Sequence, residues 1–174
     1  KKMAQKLLEP IKDKILCMIG GNHDELRSEE DAQPIMDIAD ALGVPYMAGE
    51  MCLKLPVGSK VNGKPAVYTV YATHGWTAAR LIGAKAINLD RLKDIVLADL
   101  YIISHTHTQH AHKDMYYVPD KYNCNVMEIE RYFVNTGSYQ KRGQYPIRKG
   151  LPGAVLGTPL IKLNGLEKKI RVEL

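Results

Sequence analysis

Cysteine, tryptophan and phenylalanine are scarce in this chain of 174 residues, at three, one and one. Cys17, Cys52 and Cys124 stand far apart with no C-x-x-C pair, which fits a reducing, cytoplasmic setting better than an oxidising one. Cys17 and Cys52 fall in apolar stretches, where a free thiol reads as a small hydrophobe. No run of about 18 apolar residues is present, so no transmembrane helix can be drawn and no membrane partner is expected. The first residues, Lys1 to Lys6, lead into no apolar signal core. The chain opens on Lys1 rather than Met, and it is read as a piece of something longer. Repeats and low-complexity segments are absent too. What remains is 45% hydrophobic and 25% charged, which excludes a disordered tail, a collagen-like repeat or a coiled coil. The length suits one domain.

Charge is unevenly placed. The net value is +5, yet residues 141–174 hold 8 Lys/Arg against 2 Asp/Glu, and the rest of the chain is close to neutral. A uniformly basic nucleic-acid binder would look different. A solvated basic hairpin is the plainer reading of the C-terminal segment. Ten tyrosines gather toward that end, at 116, 117, 122, 132, 139 and 145. With Lys141, Arg142, Arg148 and Lys149 they could form a stacking surface for nucleic acid, or simply fill half-buried strand positions.

Periodicity outlines a mixed α/β chain. Met3, Leu7 and Leu8 have helical spacing up to Pro10. The continuous apolar run from Lys14 to Ile19, closed by Gly20-Gly21, predicts a strand buried on both faces. Ser28 and Asp31 form a capping-box pattern ahead of a helix whose face is Ile35, Ile38, Ala39 and Leu42, stopped by Gly43. A strand around Met51–Leu55, a turn at Asn62-Gly63 and a return strand over 66–73 make a hairpin. A helical stretch over 77–96 follows, expected in two pieces with Gly83 and Asn88 as interruptions. Strands are then expected over 100–103, 115–118, 132–135 and 154–163, the last pairing with 166–174 through Asn164-Gly165.

Five of the six histidines follow the end of an expected strand: His23, His74, His105, His107 and His110. In open α/β sheets, ligands collect at the carboxyl ends of strands, so this recurrence points to a metal site. In extended chain, His105 and His107 would share one face, about 6.5–7 Å apart at the backbone, a spacing that can serve two metals. The alternative is a polar loop with surface histidines. In Gly20-Gly21-Asn22-His23-Asp24 the glycines would permit a tight strand exit and close approach of backbone to a ligand. Asn22 offers a neutral oxygen ligand. His23 could protonate a leaving oxygen, with Asp24 fixing its tautomer. A plain turn with a helix cap at Asp24 would read the same way in isolation. His110 and His112 form another alternating pair, read as solvent-facing or loosely metal-binding. Arg80 is read as a surface helix residue that could also reach a phosphate.

The order Gly21-Asn22-His23-Asp24, Thr73-His74-Gly75 and His105-Thr106-His107 resembles the second half of the calcineurin-like metallophosphoesterase signature. There G-N-H-[DE], a lone His and G-H-x-H follow D-x-H and G-D-x-x-D. Asn135-Thr136-Gly137-Ser138 is also similar to the N-x-G-S stretch that often follows. The likeness spans roughly residues 14–165. It implies a layered α/β/β/α sandwich, with residues 1–174 as the C-terminal portion of the domain. It also implies hydrolysis of a phosphodiester or phosphomonoester at two divalent metals, Mn foremost, with Fe, Zn or Ni as alternatives. By that resemblance Asn22, His74 and His105 would bind the second metal and His107 the first. His23 would lie beside the scissile phosphate, and hydroxide would attack phosphorus in line.

Two departures qualify the pattern. Ser104 stands where Gly is usual, and D-x-H and G-D-x-x-D are absent. With them go the Asp and His of the first metal and the Asp that bridges both. Neutral Asn and His donors do not offset two adjacent dications, so one metal is the expectation for these residues alone. The expected sheet is then incomplete at its N-terminal side, with an open edge through which a second copy could pair. Two other classes stay open: a non-catalytic binding or scaffold domain of the same fold, and a nucleic-acid-binding module.

Overall fold

Pro10 does not end the first helical run. Helix α1 (Lys2–Leu8) passes into a 3-10 segment, Glu9–Lys14, with Pro10 in its first turn, where a missing N–H leaves no bond unmade. The tightened turns consume the start of the strand expected over 14–19, and only β1 (Met18–Ile19) forms. Ile15 and Met18 instead pack against Ile38, Leu42 and Val44. Helix α2 (Pro34–Leu42) buries Ile38, Ala39 and Leu42 as its spacing predicts, and Gly43 closes it at φ 67°. That left-handed cap is open to glycine without a Cβ penalty. Strand β2 (Tyr46–Met47) then pairs parallel with β1, Met18 opposite Tyr46.

These elements come from a computed structural model, which describes residues 1–22, 33–58, 64–76, 79–141, 143, 147–148, 150 and 153–174. The expected cap at Ser28–Asp31 and turn at Asn62-Gly63 lie outside the described residues. The chain divides into two compact units, Lys1–Met51 with Thr73–Gly75, and Cys52–Ala72 with Trp76–Leu174. The first unit is the small helix-and-strand assembly above.

The second unit is built on a five-stranded sheet of order β3-β4-β5-β7-β6. Its strands are β3 (Glu50–Val57), β4 (Ala66–Thr73), β5 (Leu100–Ile103), β6 (Gln109–Pro119) and β7 (Val126–Thr136). β5 runs parallel to β7, with Ile103 opposite Asn135, and β6 antiparallel to β7, with Gln109 opposite Thr136. The carboxyl ends of β5 and β7 therefore emerge together, beside the start of β6.

Strand alternation assigns the two faces. Tyr71, Tyr101, Ile103 and Phe133 point to a helical layer and pack with Leu89 and Leu92. Tyr68, Val70, Leu100 and Val134 point the other way, onto Ile170 and Ile161 of a hairpin, β8 (Leu160–Leu163) and β9 (Ile170–Glu173). Helix, sheet and second sheet give the layered α/β architecture expected.

Several boundaries differ from expectation. The helical stretch is α3 (Ile82–Asp90) followed by a 3-10 turn, Arg91–Asp94. Gly83 lies inside the helix, and Asn88 donates to the carbonyl of Ala84 at 2.9 Å instead of breaking it. Arg80 precedes the helix and is exposed. β6 starts six residues before the expected Met115, so His110 and His112 are strand residues. The strand expected over 154–163 shrinks to β8. Asn164 and Gly165 open a longer loop, in which Asn164 Oδ1 accepts from Leu166 N at 2.8 Å. Cys17 is half-buried, but Cys52 and Cys124 are exposed, because alternation turns Cys52 away from the Leu53 and Leu55 face.

Candidate metal centre

In the first unit, the end of β1 delivers Gly20, Gly21 and Asn22, and the end of β4 delivers His74. Asn22 Oδ1 and His74 Nε2 lie 3.0 Å apart, so the tautomer carrying its proton on Nε2 donates to the amide oxygen. The ring lies directly on Gly21: a Cβ there would come within 2.8 Å of His74 Cε1. A Cβ at Gly20 would overlap the Tyr46 hydroxyl. The glycines thus make room for the protein's own side chains. Thr73 steadies the approach to His74, its hydroxyl donating to the carbonyl of Gly49 at 3.1 Å.

Two donors about 2.1 Å from one ion and at right angles to each other stand about 3.0 Å apart. The Asn22–His74 pair has that separation. Both are neutral oxygen and nitrogen donors, a set suited to Mn, Fe, Zn or Ni. Asn22 and His74 would give one divalent ion two neutral donors, fewer than the four or more such an ion takes; among the described residues no group of three or more His, Cys, Asp or Glu is placed to hold a metal. His23 and Asp24 lie outside the described residues.

In the second unit, His105 and His107 follow β5 as expected, but the backbone there is not extended. Both residues are left-handed, with φ of 62° and 55°, so the same-face argument from strand spacing is overturned. Thr106 lies between them. It is turned inward and buried, its hydroxyl accepting from Asn135 Nδ2 and its carbonyl from Lys85 Nζ at 2.9 Å. Ser104 Oγ, where Gly is usual in the resembling pattern, bonds to Thr136 Oγ1 at 2.9 Å and so ties the ends of β5 and β7 together. Left-handed conformation at a non-glycine costs about 1–3 kcal/mol and persists only where surroundings impose it.

Lys85 is a polar residue that sequence reasoning passed over. Its one available signal is register: it sits four and seven residues before Leu89 and Leu92, on their buried stripe. Burial pushes its ammonium pKa down. Asn135, noted in the sequence only as part of N-T-G-S, is buried with Oδ1 unbonded among the described residues.

His110 and His112 point to the helical face of the sheet, not to a solvent-facing loop. The His112 ring stacks on Phe133 at 4.7 Å, Nδ1 lies 3.3 Å from His110 Nε2, and Nε2 lies 3.7 Å from Asp90. Burial first, and the neighbouring His110 second, hold the His112 pKa below its ordinary value.

No protein-family model matches the chain, and no curated protein sequence matches it significantly. Among solved structures it is similar to a double mutant of Vps29 from Entamoeba histolytica, at 16% identity and a TM-score of 0.45, over 99% of this chain and 87% of that one.

Proposed function

We propose that the chain belongs to a metal-dependent phosphoesterase and carries part of its metal site. The observation that supports this best is the Asn22–His74 pair, 3.0 Å apart over Gly21, within the ordered G-N-H-D, T-H-G and H-x-H pattern. Asn22 and His74 would hold one divalent ion, and the pattern carries His105 and His107 as its further ligand residues. When bound, the ion supplies Lewis-acid activation of a phosphate ester. The chain's own residues do the rest. Without the ion, Asn22 Oδ1 accepts from His74 Nε2 in the tautomer protonated there; binding the ion would displace that proton and leave both atoms as donors, and Gly21 leaves the ring space to lie flat. His23, by the resemblance, donates a proton to the leaving oxygen. The substrate is a phosphodiester or phosphomonoester, possession of a fold alone not choosing between them.

A second reading is favoured by the neutral donor set: a non-catalytic domain of the same fold that binds a single ion or none. Hydrolysis of bis-p-nitrophenyl phosphate with Mn2+ by the longer parent protein separates the two, this chain alone being expected to turn over weakly or not at all. Turnover that falls at least about 100-fold in both Asn22→Ala and His74→Ala supports the phosphoesterase. Full turnover in those variants sinks it, and metal binding without turnover supports the second reading. Association of copies would use the open sheet edges, β3 or β6. Cytoplasmic location remains part of the proposal on cysteine usage; among the described residues no helix is long and apolar enough to cross a membrane.

A further inference from the structure

Three groups from different elements converge on Thr106. Asn135 Nδ2 of β7 donates to its hydroxyl, and Lys85 Nζ of α3 donates both to its carbonyl and to Thr108 Oγ1. Thr106 is 8% exposed, Lys85 7% and Asn135 1%. The residues on either side of Thr106, His105 and His107, are the only non-glycine residues with positive φ among the described ones.

We infer that Lys85 and Asn135 are positioning residues: by drawing Thr106 inward they hold His105 and His107 left-handed, and so set the direction in which both imidazoles leave the end of β5. This rests on the reading of His105 and His107 as metal ligands.

The chemistry of the two residues supports the assignment. Lys85 has no carboxylate partner among the described residues, and a buried ammonium without one is costly. Leu89 on the same helix and Leu92 in the 3-10 turn after it are apolar, so methionine would fill the same space without that cost. What methionine lacks is the donor to Thr106. Asn135 makes the same point from the sheet. Its oxygen is buried and unbonded, so only its donor is in use, and that donor also goes to Thr106. Two polar groups are kept in an apolar layer, and both reach the residue between the histidines.

The sign of one measurement separates positioning from charge. A buried ammonium near a cation repels it, so if Lys85 acted through charge alone, Lys85→Met would tighten metal binding. If it acts by positioning, the same change weakens binding. The test uses the 174-residue chain as wild type, Lys85→Met and Thr106→Val. In the metal-free chain, NMR couplings between amide and α protons at 105 and 107 report φ directly. Both variants are expected to lose the left-handed values. Zn2+ affinity by calorimetry should fall about 10-fold or more, the scale of a lost orienting contact. Couplings unchanged in both variants overturn the inference, even where thermal stability drops. Tighter Zn2+ binding by Lys85→Met overturns it as well. If the wild type binds no Zn2+, the metal reading fails while the couplings still decide the clamp. Should Lys85→Met not fold, Thr106→Val, which keeps the side chain's shape, decides alone.

Discussion

At Gly21 one missing Cβ makes room for the His74 ring. The imidazole occupies the space a side chain would take, so Gly21→Ala should displace the ring from Asn22 while leaving the fold intact. The check is the His74 ring shift by NMR together with metal affinity, which should drop about 10-fold; an unmoved ring would show that the close approach is not required. His112 permits a prediction with a definite sign. Its pKa is lower in the folded chain than the 6.5 of a free histidine, so the unfolded chain binds the proton more tightly. Protonation therefore favours unfolding. Stability is full above pH 6.5 or so and declines as the pH falls from there through the lower folded value. His112→Phe keeps the stack on Phe133 and removes the proton. Urea midpoints measured from pH 8 to pH 5 should fall more steeply in the wild type than in the variant.

At the scale of elements, the sheet's two faces are held by different chemistry. On the helical face, Tyr101 stacks on Phe133 at 4.7 Å, and its hydroxyl accepts from Ala98 N and donates to Val96 O at 2.9 and 2.8 Å. That ring carries the chain from the Arg91–Asp94 turn into β5. Truncating Leu89 or Leu92, both fully buried, to alanine should cost about 2–5 kcal/mol in urea unfolding. On the other face, Tyr68 ties the β8–β9 loop to the sheet: its hydroxyl accepts from Lys169 N at 2.8 Å and lies 2.6 Å from Asn164 O, to which it donates. Tyr68→Phe removes the hydroxyl that joins Lys169 N to Asn164 O, while Lys169 N keeps the carbonyl of Glu167 at 2.8 Å, so the change should cost about 0.5–1.5 kcal/mol. Hydrogen exchange should quicken in residues 164–169 first. These elements were legible as strands and helices from spacing. That a tyrosine of β4 would secure a loop some hundred residues later was not, because no local pattern encodes that contact.

For the whole molecule, the unequal charge is the relevant quantity. Part of the basic C-terminal segment is already engaged: Lys168 pairs with buried Asp99 at 2.8 Å and Lys162 with Glu173 at 2.6 Å. Tyr116, one of the rings that could have stacked on a base, lies under the Arg131 guanidinium at 4.1 Å, which also grips Asp114 twice. Internal pairing thus accounts for Lys162 and Lys168, and we expect the segment as a whole to behave as a solvated surface. Anisotropy of a labelled single-stranded oligonucleotide should therefore show weak binding with a shallow salt dependence. A loss of about 1000-fold between 50 and 200 mM salt, removed by neutralising Lys141, Arg148, Lys169 and Arg171, would establish a nucleic-acid surface in its place.

Spacing in the sequence was sufficient for α2 and its Gly43 cap, for β3, β4 and β5, and for the order of the candidate ligands. Each of those depends on a pattern within a few residues: a 3.6-residue stripe, alternation, an apolar run, a glycine at the end. Tertiary structure alone decided the early start of β6 and the burial of His112. It also decided the left-handed turn at His105 and His107. β6 is lengthened by pairing along the whole of β7, and the histidine turn is shaped by Lys85 and Asn135, 21 and 29 residues away from Thr106 in sequence. The scarcity of cysteine and of long apolar runs was informative at once. The 3.0 Å approach of Asn22 to His74 was decided by the tertiary structure, because the two residues stand 52 positions apart and no local pattern brings them together.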